Sequence, residues 1–428
     1  TAVHPVRQRA ARRPPPWRAI GAAMVVVAAA LLVWWLPAVR ERLAARLPFL
    51  NRIPAQKQIA VLEFQNVGGE AANQAFCDGL VETLTSKLTQ LEQFHGSVWV
   101  APASEVRRGQ IASARDARRA LGVNLVITGS VQRSGRLVRV TANLVDAVTL
   151  RQLGARTLDT RLEDLATLQD GVVKQVAGLL ELELKPQARQ VLSGGGTLQG
   201  TAYDSYVQGY GALQRYDRSG SLEQAVALFQ RATQQDPNYA EAFAALGQAY
   251  LTQFRRTREP KWLEQARSAG RRALQIDDRM AAAHINAGAI GAATGQTEEA
   301  LREFQRALEL DPVSARAYRE MATVYETAGR YKEAEATCLR AVQLRPSDWL
   351  GYTTLGVFYT RRARYPEAEA PFRRVTELTP DNPVAFTNLG GVYHLMGRYD
   401  DAIRALERSV AIRPTATAVI NLGTIYFF

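Results

Sequence analysis

Along the C-terminal half of the chain, apolar positions recur in a helical rhythm. Phe386, Leu389, Gly390 and Tyr393 fall at i, i+3, i+4 and i+7, which is one face of an α-helix. Gly397 stops that helix, a second carries Ala402 and Leu406, and Pro414 ends it. The same register holds Tyr352, Leu355, Gly356, Tyr359, Ala368 and Phe372 one period earlier. Before that it holds Tyr318, Met321, Ala322, Tyr325, Ala334 and Cys338, and then Ala300, Phe304 and Ala307. The closing prolines Pro312, Pro346, Pro380 and Pro414 stand 34 residues apart. Asp278 takes the preceding slot, and Pro237 lies 41 residues before it, so one unit carries seven extra residues.

A fixed period of 34 built from two helices is the signature of the tetratricopeptide repeat. One long amphipathic bundle would not restore its proline at every period. Small residues recur where paired helices approach, and large ones where a pair stacks on its neighbour. The period predicts an all-α superhelix over residues 201–428, with six repeats and a seventh only begun at Leu422, Gly423 and Tyr426. Stacked repeats normally finish on a polar capping helix. This last helix would instead expose Ile425, Tyr426 and Phe427, and residue 1 is Thr. The chain is therefore expected to be a segment of a longer protein.

Stacked pairs make a concave groove lined by the first helix of each repeat. In tetratricopeptide geometry its positions are Arg316, Arg319, Thr323 and Glu326 in one unit, and Leu350, Thr353, Val357, Thr360 and Arg361 in the next. The last full unit adds Val384, Thr387, His394 and Leu395. Arginines beside an apolar strip suit a peptide with an acidic group, because Arg pairs bidentately with carboxylates. Solvated arginine on an ordinary surface explains the same residues equally well. The Lys and Asn pattern of chaperone-type carboxylate clamps is not reproduced.

Ahead of the repeats the rhythm changes to short β-rich runs. These are 57-KQIAVLEFQNV-67, 97-SVWVAP-102, 124-NLVITGSVQRSG-135, 136-RLVRVTANLVDA-147 and residues 151–160. Helical stretches at 72–94, 112–122 and 162–184 are interspersed. Residues 57–184 are read as one α/β domain, of ordinary domain size. The stretch 185–200, with three consecutive glycines, reads as a linker.

Charge and hydropathy change the picture at the N-terminus. The chain carries +12, but residues 1–52 hold nine Arg and one Glu and so account for +8. The folded part needs no basic stripe, and nucleic acid is not expected as a partner. Residues 1–18 form an Arg-rich juxtamembrane segment, and residues 19–39 run 21 residues without a charge. At about 1.5 Å per residue, that run spans a bilayer core of roughly 30 Å as a single transmembrane helix. Residues 40–56 form a linker. The arginines before the helix favour a cytoplasmic N-terminus, which places residues 40–428 on the extracytoplasmic side of an inner membrane.

Several stretches carry a family resemblance. IAVLEFQNVGG, FCDGLVETLTSKL, LGVNLVITGSVQRSGRLVRVTANLVDA and LEDLATLQDGVV are similar to the TolB amino-terminal-like domain of bacterial signalling proteins. There it commonly stands between a transmembrane helix and tetratricopeptide repeats. The wording most resembles the extracytoplasmic half of membrane-anchored Hanks-type serine/threonine kinases, especially those of Acidobacteria, over residues 19–428. Glu63 departs from the pattern, which often has Pro before the Phe. The resemblance implies an α/β fold, an interaction role and a kinase domain preceding Thr1.

No catalytic constellation is found. The sequence has no G-x-x-x-x-G-K-[ST], HExxH, CxxC or GxSxG, and no Gly-rich kinase loop, HRD or DFG. Residues 129–135 (GSVQRSG) look like a phosphate loop only superficially, since Gln132 to Arg136 reads as a hairpin turn between two β-runs. His4, His95, His284 and His394 form no metal-spaced cluster, and His284 reads as a core histidine. Cys77 and Cys338 read as buried thiols. No cofactor is expected. The chain is read as a non-catalytic sensor or scaffold that binds a protein or peptide, with room for a homodimer. The alternatives are the same module on a nucleotide cyclase or winged-helix regulator, or an envelope assembly scaffold.

Overall fold

The structure, a computed structural model, describes residues 53–68, 71–214 and 220–427. The expected span at 19–39 and its flanks lie outside the described residues. Among those described, no helix is long and apolar enough to cross a membrane.

Five strands form one mixed sheet in the order β2-β1-β3-β4-β5: β1 (Lys57–Val67), β2 (Val98–Val100), β3 (Leu125–Ser134), β4 (Leu137–Asp146) and β5 (Gln152–Arg161). Strand β1 runs parallel to β2 and β3, while β3, β4 and β5 form an antiparallel meander. The run IAVL alternates between two buried faces, as a central strand covered on both sides must, and a register shift after Val61 exposes Glu63 and returns Phe64 to the first face. Ile59, Val61 and Phe64 face one apolar layer, and Ala60 and Leu62 face another. The GSVQRSG stretch is the β3–β4 hairpin, its turn closed by Gly135 at φ 58°.

Helices α1 (Ala71–Leu91) and α4 (Leu168–Leu179) cover the first face through Phe76, Leu80, Leu84, Val172 and Val176. A 3-10 turn over Leu162–Thr167 precedes α4, so the expected helix at 162–184 is shorter and begins tighter. Two short helices, α2 (Ala103–Arg108) and α3 (Ala114–Leu121), follow β2. Ser113 caps α3 by accepting the Asp116 N–H. Helix α2 has no counterpart in the sequence reading, because six residues are too few to show a period.

The stretch 185–200 is not a loose linker. It contains α5 (Pro186–Ser193), with proline at its first turn and Ala188 and Leu192 buried four residues apart. The Lys87 ammonium of α1 donates to the Leu192 carbonyl, and Gly195 accepts the Glu241 N–H at 3.0 Å. The three glycines make a packed turn.

Six helix pairs and a further helix follow. They are α6 (Gly200–Leu213) with α7 (Ser221–Gln235), α8 (Ala240–Thr257) with α9 (Pro260–Ile276), and α10 (Ala281–Ala293) with α11 (Thr297–Leu310). Next come α12 (Ala315–Thr327) with α13 (Tyr331–Leu344), α14 (Trp349–Arg361) with α15 (Tyr365–Leu378), and α16 (Pro383–Leu395) with α17 (Tyr399–Ile412). Helix α18 (Ala416–Phe427) is last. The seven-residue insertion lengthens both helices of the second pair, to 18 and 17 residues against 13 and 14 in the third. On α18, Tyr426 and Phe427 are exposed as expected, but Ile425 is buried against the preceding pair. His284 is a core histidine held by Glu303 at 2.7 Å and the Asp278 carbonyl at 2.9 Å.

The sheet domain and the helix pairs share their cores. One apolar cluster runs from Ile59 and Val61 through Leu80 and Tyr203 to Phe229, Tyr250 and Ile290. A second joins Ala60, Leu62, Trp99 and Val106 to Trp349, Val375 and Ala385 of the fifth and sixth pairs. The closest approach is the crossing of α1 with α6. A Cβ on Gly79 would lie 1.8 Å from the Val207 carbonyl oxygen, and one on Gly211 would lie 2.0 Å from that of Ala75. Only glycine on both helices lets the backbones touch there.

Substitution at the crossing tests its role. Gly79→Ala should destabilise the protein by roughly 1–3 kcal/mol, the usual cost of overpacking, because a backbone oxygen cannot swing aside. Gly178→Ala, in α4 with open space at its Cβ, should stabilise by roughly 0.5–1 kcal/mol. Equal effects in urea titrations would show that the crossing is slack.

Candidate functional site

Seven of the groove residues meet in one cleft. Arg319, Thr323 and Glu326 of α12 face Leu350, Thr353, Val357 and Arg361 of α14, around a volume of about 480 Å³. The opposite wall was not legible in the sequence. It comes from the sheet domain, where α2 and the residue before it supply Pro102, Ser104, Glu105 and Arg108. Ala322, Cys338 and Phe358 complete an apolar floor. The expected open groove is therefore a closed-sided cleft, because the sheet domain stands against the inner helices.

Charge is arranged in tiers. Glu105 and Glu326 have side chains only 10% and 17% exposed, whereas Arg108 and Arg361 are 67% and 62% exposed. Arg108 pairs with Glu105 at 3.0 Å, and Arg361 pairs with Glu326 at 3.2 Å across adjacent pairs. Each deep carboxylate thus anchors a guanidinium that reaches outward. Burial pushes the Glu105 carboxyl up, against the opposing pull of Arg108 and Arg319. Arg319 is exposed and enters no hydrogen-bonded ion pair among the described residues.

Three candidates lie apart from the cleft. Arg316 donates to the Asn286 side chain at 2.8 Å, and Asn286 donates to the Ala244 carbonyl at 3.1 Å, linking three successive pairs. Burial draws the Arg316 guanidinium below its ordinary range. Thr387 is buried, bonded to the Pro383 carbonyl at 3.0 Å and to Ser409 at 2.8 Å. His394 packs edge-on against Tyr399, 5.8 Å between ring centres. Among the flanking positions, Thr360 turns its hydroxyl to the Gly356 carbonyl, and Val384 and Leu395 are exposed.

Comparison with known proteins agrees with the geometry. Models of the tetratricopeptide repeat match residues 214–253, 292–348 and 359–417. The helical half carries tetratricopeptide repeats. Over 225 residues the chain is 31% identical to a protein of Rhizobium meliloti (strain 1021) named putative adenylate cyclase 3; the match takes in 51% of this chain. The chain spans 37% of that relative's length. Among solved structures it is similar to YrrB, described as a tetratricopeptide repeat protein with an unusual peptide-binding site. The identity is 23% and the TM-score 0.33, covering 46% of this chain and 97% of that one. It is also similar to Pseudomonas aeruginosa pilF at 22% identity and a TM-score of 0.40, covering 53% of this chain and 97% of that one.

The repeats meet the sheet domain through polar contacts as well as apolar ones. Lys87 pairs with Glu241 at 2.6 Å, both nearly buried. Arg133 pairs with Asp204 at 2.7 Å, and the Asp381 N–H donates to the Arg119 carbonyl at 3.1 Å. Arg345 pairs with Glu92, whose other oxygen accepts the Val100 N–H at 2.6 Å. Arg413 reaches the Gly109 carbonyl at 3.5 Å. The sequence held a signal for the last two. The residue before the repeat boundary is Asp236, Asp277 and Asp311 in early repeats, but Arg345 and Arg413 in later ones. Both arginines turn inward to the sheet domain.

The two cysteines, Cys338 at the cleft and Cys77 in the core beneath the sheet, are free and buried, and burial raises both thiols to about 12, which leaves them unreactive at neutral pH. No group of three or more His, Cys, Asp and Glu among the described residues is placed to hold a metal ion.

The Arg345–Glu92 pair has a distinctive expected signature. Arg345→Met alone strands a buried carboxylate and should cost about 3–5 kcal/mol. Adding Glu92→Gln, which keeps an acceptor for the Val100 N–H, should recover most of that loss. If the double variant is no more stable than the single one in urea titration, packing rather than charge accounts for the effect.

Proposed function

We propose that this chain is a non-catalytic protein-interaction segment of a membrane-anchored signalling protein, binding a peptide or protein segment in the cleft between α12 and α14. The carrying observation is that seven groove positions, on two helices one 34-residue period apart, converge on one cavity with guanidinium groups at its rim. Cavities of about 300–1,000 Å³ are the usual size for ligand sites. The apolar run at 19–39 supports the anchor.

The output domain of such a protein would lie elsewhere in its sequence. The resemblance noted above favours a serine/threonine kinase. The identity with a protein named putative adenylate cyclase favours a nucleotide cyclase as a second reading. Both assign the same task to these residues, which is to recognise a partner.

The test is capture of binding partners by residues 53–428, repeated with Arg319→Ala. An arginine pairing with a ligand carboxylate should cost roughly 1.5–3 kcal/mol of binding, about tenfold or more in affinity. An exposed arginine without a role changes stability by no more than about 0.5 kcal/mol, so the melting curve should stay put. Retention of every partner at full affinity by a folded Arg319→Ala variant would overturn the assignment.

A further inference from the structure

We infer that the recognition site is composite: α2 of the sheet domain supplies one wall of it, and Arg108 and Arg319 together read a carboxylate on an extended peptide. This rests on the peptide-binding reading above and adds its ligand chemistry and a second domain. Repeat arrays are expected to present ligands to their own inner helices alone. Here the cleft between α12 and α14 has no open far side, because α2 occupies it.

Charge complementarity selects the ligand. The cleft has three guanidiniums, Arg108, Arg319 and Arg361, against two carboxylates, Glu105 and Glu326, leaving one net positive charge. Both carboxylates are deep and already committed, Glu105 to Arg108 and Glu326 to Arg361. They act as positioning groups that hold the guanidiniums toward the opening and lower the entropy lost on binding. Arg319 is the member without such an anchor. It stands opposite α2, close enough for its charge to bear on Glu105. A guanidinium on each wall allows a carboxylate to be held from two sides by charge-assisted hydrogen bonds. The floor of Leu350, Val357 and Phe358 accepts an apolar side chain beside the acidic one. The ligand class is therefore a short extended segment with a carboxylate next to an aliphatic or aromatic residue. That carboxylate belongs to an Asp or Glu side chain of the segment.

Fluorescence anisotropy with fluorescein-labelled hexapeptides of alanine and leucine carrying one central Glu, Gln or Lys tests this, each peptide as free acid and as C-terminal amide. The Glu peptides should bind at least tenfold tighter than the Gln or Lys ones, with affinity falling as salt rises. Preference for the free acid regardless of the central residue would assign the site to a chain terminus. Affinity that does not change on amidation assigns it to a side chain. Arg108→Ala and Arg319→Ala should each weaken the preferred peptide about tenfold with circular dichroism unchanged; Arg319→Ala should also leave melting unchanged, whereas Arg108→Ala, which takes the partner from Glu105, should lower it. If Arg319→Ala weakens binding and Arg108→Ala does not, the composite site is wrong and the repeats alone recognise the ligand. If neither changes affinity, or no acidic peptide is preferred, the cleft reading falls with it.

Discussion

Two glycines on crossing helices set the architecture. Gly79 on α1 and Gly211 on α6 each leave the space that a carbonyl oxygen of the other helix fills, so sheet domain and first repeat meet at backbone distance. Everything downstream is registered from that contact. With α6 fixed against α1, the stacked pairs curve back until the fifth and sixth meet the far face of the sheet at Trp349, Val375 and Ala385. The repeats therefore enclose the sheet domain. The inner surface that a free repeat array would present to a partner is largely spent on the chain itself.

This enclosure alters the expected energetics. In an isolated solenoid each repeat contacts only its neighbours, and stability is close to a sum of local terms. Here one domain bridges pairs far apart in sequence, through Lys87 to Glu241 and through Glu92 to Arg345. Buried ion pairs contribute little net stability, since desolvation opposes attraction, but breaking one is costly. Their effect is to fix the register of the docked surfaces. The cleft survives where α2 stands off from α12 and α14, and it takes its shape from both domains.

The legible and illegible parts of the sequence divide along physical lines. The repeats could be read because a 34-residue period imposes Pro346, Pro380 and Pro414 and their apolar partners from local packing alone. The strands could be read from alternation and from the turn at Gly135. Seven groove positions converge as repeat geometry requires. What could not be read was the partner surface. Gly79 and Gly211 look like ordinary helical glycines until a second backbone is placed on them. Arg316, assigned to the groove, is taken up by Asn286 of the preceding repeat, and Thr387 by Ser409 of its own pair. The stretch 185–200 misled because its glycine run outweighed the four-residue spacing of Ala188 and Leu192. Arg345 and Arg413 broke the aspartate pattern in plain view, but what they break it for lies more than 250 residues away.

Native-state hydrogen exchange across a urea series tests whether sheet domain and repeats form one cooperative unit. The slowest amides of β1, α1 and α6 should merge onto a common unfolding isotherm with those of α14 and α16, because the enclosed domain ties them together. Separate isotherms, with the late repeats retaining protection after the sheet has exchanged, would contradict it.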